Sequence, residues 1–126
     1  MHYDPFEVPD PKSWLALDEQ ERLDLTRDYH RRARIRVPNG AEELHALFHT
    51  VVETQIALGD ATPAQRTAKR LMDEGLDRHE AIHAIGSVLA EHIHDLMTKP
   101  HPSGNRNPAY FAALENLTAE SWRQSG

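Results

Sequence analysis

The sequence contains no cysteine among its 126 residues. That removes disulfides, thiolate metal ligands and cysteine nucleophiles together, and a reducing cytoplasm is the natural setting. No stretch approaches the roughly 20 apolar residues that cross a bilayer, so no membrane association is expected. Positive charge is also lacking. The formal net charge is −6, and the basic residues are scattered except for the run from His30 to Arg36. A domain that lives on phosphate backbones carries a basic face, so nucleic acid is disfavoured as a partner. The opening residues MHYDPFEVPD are acidic and rich in proline, without the basic and apolar regions of a secretory signal. Period-two alternation is absent, so no strand is expected. No internal repeat is found.

What is present is helical periodicity. The length is that of one ordinary domain, and the expectation is a single helical domain over 1–126 with an extended N-terminal arm over 1–13. Asp18 followed by Glu21 fits a capping box, opening a helix to about Ala33 with Leu17, Leu23, Leu25 and Tyr29 toward its buried side. Val37 to Gly40 forms a turn. A second helix runs from about Ala41 to Leu58 and stops at Gly59, with Leu44, Leu47, Phe48, Val51 and Leu58 as its apolar stripe. Thr62 and Pro63 open a third helix that ends at Gly75. Asp77 caps a long helix to about Met97, striped by Ile82, Ile85, Leu89, Ile93 and Leu96. A loop from Lys99 to Asn107 precedes a short C-terminal helix carrying Tyr110, Phe111, Leu114 and Leu117, and Thr118 to Arg123 adds a further turn. The fold class expected is all-α, a compact bundle of about four to five helices.

Nine histidines stand out in a chain of this length. His45 and His49 are four residues apart, and so are His79 and His83. Residues four apart share one helix face, one turn from each other, which suits two imidazoles to a common ion. With Leu44 at the origin of the second helix's wheel, His45 and His49 fall near 100° and 140°, bordering the apolar stripe. On the fourth helix the second pair borders its stripe in the same way, beside Gly86 and Ala90. Taken singly, each histidine reads as an ordinary hydrogen-bonded residue at the core edge. Taken together, the pairs read as a metal site at the rim of the core. His30, His92, His94 and His101 have no such partner and read as surface residues.

Glu80 makes the second pair His79-Glu80-Ala81-Ile82-His83, the HExxH pattern in which two histidines bind zinc and the glutamate acts as general base. Gly86 extends it, but the next metzincin ligand position is Leu89. Glu80-x-x-His83 is also the half-motif of ferritin-like di-iron sites, for which Glu53 would be a further carboxylate. Glu53 falls near 180° from Leu44, on the far side from the expected core, which makes it a doubtful ligand. Gln55 falls within the apolar stripe, where a buried amide needs a partner. Either it orients a histidine, or it bonds a neighbouring helix end. A site of four histidines suits zinc first, then iron or nickel.

The stretch from His45 to about Leu96 resembles an uncharacterised bacterial family of small helical proteins, a domain of unknown function. The residues that carry the resemblance are His45-x3-His49, Gln55, Pro63 and His79-Glu80-Ala81-x-His83 followed by Leu89. The segment from Trp14 to Glu19 is similar to nearer relatives. The resemblance implies that the two histidine motifs act together, and it implies no reaction and no counterpart for Glu53. The function expected is metal binding by histidines from two helices. An open coordination position would permit hydrolysis with Glu80 as base, and a closed tetrahedral one would serve structure. The alternative is a metal-free helical module that binds a protein partner or forms a homodimer.

Overall fold

The computed structural model describes residues 2–32, 42–99 and 107–125. Every regular element among them is helical, and the fold is all-α. The helices are α1 (Pro11–Ala16), α2 (Glu19–Arg32), α3 (Glu42–Ala57), α4 (Ala64–Asp73), α5 (Arg78–Thr98), α6 (Asn107–Asn116) and α7 (Ala119–Ser125), with a 3-10 turn at Gly59–Ala61. The turn expected at Val37 to Gly40 and most of the loop expected after Lys99 lie outside the described residues. No helix is long and apolar enough to cross a membrane among the described residues.

The helix ends follow local chemistry. Glu21 N–H donates to Asp18 Oδ1 at 2.8 Å and Asp18 N–H donates to Glu21 Oε1 at 3.2 Å, a reciprocal capping box. Asp77 accepts from Glu80 N–H at 2.8 Å at the head of α5. At the end of α4, Leu76 N–H donates to Leu71 O and Gly75 N–H to Met72 O. Gly75 has φ 106°, the left-handed residue this pair of bonds requires. The arm expected over 1–13 is helical from Pro11 onward. Asp10 Oδ2 accepts from Ser13 N–H and Oγ, and Pro11 takes the first position, where its missing N–H costs nothing.

α3 is the central element and packs against α1, α2, α4 and α5. The apolar core gathers Val52 and Ile56 of α3, Ala64, Ala68 and Leu71 of α4, Ile82, Ile85 and Leu89 of α5, and Tyr110 and Leu114 of α6. The inward face of α3 keeps only part of the expected stripe, since Phe48 and Val51 pack against the core and the leucines do not. Leu44, Leu47 and Leu58 are 53%, 46% and 47% exposed, whereas Ala46, His49, Thr50, Val52, Glu53 and Ile56 are buried. The reason lies in the partner helix. α2 presents Thr26 and His30 to α3, both buried, while Leu23, Leu25 and Tyr29 are half-buried. Thr26 Oγ1 lies 3.2 Å from Ala46 O and 3.1 Å from Thr50 Oγ1, so the α2–α3 seam is polar and hydrogen-bonded. Burying these groups with partners is inexpensive, and it turns the histidine side of α3 inward.

Candidate metal centre

Five histidines from three helices meet at this seam: His30 of α2, His45 and His49 of α3, His79 and His83 of α5. Ring centroids of contacting pairs run from 4.4 Å for His79–His83 to 6.5 Å for His30–His79. One nitrogen from each of His30, His45, His49 and His83 lies within 4.8 Å of the others. His30 is a correction, since it was expected on the surface. It is 6% exposed and belongs to the cluster. The available signal was the spacing Leu23, Thr26, His30, a helical ridge that a search for apolar residues alone passes over.

The hydrogen bonds fix which ring nitrogen offers a lone pair. His30 Nδ1 lies 2.7 Å from Thr26 O. A carbonyl only accepts, so Nδ1 carries the proton and Nε2 carries the lone pair. His49 Nδ1 lies 3.2 Å from the Tyr3 hydroxyl, which donates its single proton to Glu53 Oε2 at 2.5 Å. His49 Nδ1–H therefore donates to Tyr3, and His49 Nε2 is left free. That Nε2 lies 2.9 Å from His83 Nε2. Two metal–nitrogen bonds of about 2.0–2.1 Å span that gap readily. The Nε2 atoms of His30, His45 and His79 are buried with no hydrogen-bond partner. Buried polar nitrogens without partners are rare in folded proteins, and two of these, on His30 and His45, belong to the group of four whose spacing could hold an ion.

The protonation state is also suitable. Burial, reinforced by the neighbouring imidazoles, pushes His45 and His83 down to about 4 and His49 lower still. His79 is lowered for the same reasons. All four are neutral imidazoles at neutral pH, the form a metal requires.

Glu53 is not placed as a ligand. It is fully buried, where the far, solvent side of α3 was expected, and Arg78 holds both its oxygens at 2.7 and 2.8 Å. A carboxylate committed to a guanidinium and a phenol orients the histidine through Tyr3 instead. Arg78 Nη1 also donates to Pro5 O, so the N-terminal segment is tied down over the site. Of the two roles expected for Gln55, the bond to a neighbouring helix is the one seen, since its Oε1 accepts from the Tyr110 hydroxyl on α6 at 2.7 Å. His79 sits beside His83 but outside the set of four nitrogens. Glu80 is exposed on the first turn of α5. His92 stacks on Tyr110, His94 is exposed, and His101 lies outside the described residues. Sequence reading missed Tyr3, Thr26 and Arg78 entirely.

A pocket of about 250 Å³ borders His45, His49 and His83 and continues along α5 to Trp122. Comparison with protein-family models, curated proteins and solved structures finds no match for this chain.

Proposed function

We propose that the protein binds a divalent transition metal, zinc first and iron or nickel after it, through His30, His45, His49 and His83, with His79 at the rim as a fifth imidazole. The observation that carries this reading is the convergence of imidazole nitrogens of His30, His45, His49 and His83 from three helices within 4.8 Å of one another, with the Nε2 atoms of His30 and His45 buried and without a hydrogen-bond partner. An all-nitrogen donor set of borderline softness favours these metals over calcium or magnesium. The pairing of HxxxH with HExxH, in which the chain resembles the bacterial family of unknown function, supports the same reading. Glu80-assisted hydrolysis is not part of it, since Glu80 is exposed and does not line the pocket beside the histidines.

The test is elemental analysis of protein purified without a histidine tag, paired with thermal melting. About one equivalent of metal is expected. Zinc at a hundred times its dissociation constant contributes about 2.7 kcal/mol. At roughly 4 °C per kcal/mol for a chain of this size, the midpoint rises by about 10 °C. Less than a tenth of an equivalent, with a midpoint indifferent to zinc and to chelator, removes the reading.

A further inference from the structure

We propose that the pocket beside the histidines binds a small organic anion, with its charged end on the metal and a short hydrocarbon body along α5. This inference rests on the metal reading and adds the class of ligand to it.

Charge supplies the first argument. An imidazole that ligates a metal carries no charge of its own, so four of them leave the two positive charges of the ion uncompensated. The buried carboxylate nearby, Glu53, is already neutralised by Arg78 in a two-bond pair. A doubly charged ion held by side chains as buried as His30 and His49 draws an anion from outside.

Access supplies the second. His45, His49 and His83 line the pocket, and His30 and His79 do not, so the pocket is a way to the ion that leaves the fold intact. The remaining lining residues are Phe48, Ile82, Gly86, Ala90 and Trp122, mostly apolar, with Ser87 as the one hydroxyl. The Ser87 hydroxyl donates its proton to Ala84 O at 2.8 Å, so it offers no donor to an anion. No charged side chain lines this pocket among the described residues, so nothing there rewards a second charge or an extended polar group. The small residues Gly86 and Ala90 leave the room that Phe48, Ile82 and Trp122 bound. The volume, about 250 Å³, is below the roughly 300–1,000 Å³ of sites for drug-sized ligands, which fits a body of a few carbons.

The experiment uses the full chain loaded with Co²⁺, whose visible absorption reports its ligands, titrated with butanoate, formate and butylammonium. Butanoate is expected to change the spectrum saturably and butylammonium to leave it unchanged. Each methylene buried against the pocket strengthens binding by about fourfold, so butanoate should bind more than tenfold tighter than formate. If Co²⁺ binds at one equivalent and butanoate leaves the spectrum untouched, the anion proposal fails and the metal reading stands. Formate binding as tightly as butanoate, or butylammonium matching butanoate, overturns the proposal as well. If Co²⁺ itself does not bind, the metal reading falls and this inference falls with it.

Discussion

Replacing Tyr3 by phenylalanine isolates the buried relay from His49 through Tyr3 to Glu53. Phenylalanine keeps the ring contacts with Trp14 and Tyr29, whose centroids lie 5.8 and 5.9 Å away, and removes only the hydroxyl. Glu53 keeps its bonds to Arg78, so its loss is limited to one charge-assisted hydrogen bond, about 1.5–3 kcal/mol. His49 Nδ1–H loses its acceptor in a residue that is 2% exposed, at a further cost of about 1–3 kcal/mol. The two losses share one network and do not add fully, so about 2–4 kcal/mol is expected for the metal-free protein. At roughly 4 °C per kcal/mol the midpoint falls by about 8–16 °C in calorimetry. The relay also holds the tautomer that points a lone pair at the cluster. Without it, zinc affinity should fall by about 10–100-fold, measured by competition with a chromogenic chelator. A Tyr3→Phe protein that melts lower yet binds zinc as tightly as the parent would refute the orienting role and leave Tyr3 as packing alone.

The metal-free protein should lose stability in acid. The unfolded chain protonates its histidines near their ordinary value of 6.5, whereas burial holds folded His45 and His83 to about 4. Stability is therefore complete above about pH 6.5 and drains away as pH falls toward 4, and a urea midpoint unchanged between pH 7.5 and 4.5 contradicts the assignment. Metal affinity should drop over the same range, because protons compete for the ligand nitrogens. His30→Ala should weaken zinc binding by more than tenfold, whereas His94→Ala, at an exposed position on α5, should leave it within twofold in the same chelator assay. Equal affinities in the two variants would remove His30 from the ligand set. Glu53→Gln strands Arg78, whose side chain is 5% exposed, and should cost about 3–5 kcal/mol in urea unfolding. Adding Arg78→Met should recover part of that loss, and a double variant less stable than Glu53→Gln alone argues against the stranded charge as the cause.

Sequence by itself determined the features that depend on near neighbours. Asp18 with Glu21, Asp77, and Gly75 place helix ends through bonds within a few residues, and such chemistry is readable from spacing alone. The pairs His45–His49 and His79–His83 share helix faces for the same local reason. Which face turns inward was decided elsewhere. The apolar leucines of α3 point outward because α2 offers Thr26 and His30, hydrogen-bonding groups that make a polar seam inexpensive to bury. No rule of spacing within α3 contains that information. His30 joined the cluster for the same reason, and Glu53 moved from doubtful ligand to buried support once Arg78, 25 positions away, reached it. Tyr3 lies 46 positions from His49, in a proline-rich segment with no periodic pattern to mark it. The sequence thus determined that two histidine pairs exist and where on their helices they sit. Only the tertiary structure, by choosing long-range partners for buried polar groups, decided which imidazoles meet and which nitrogens face inward.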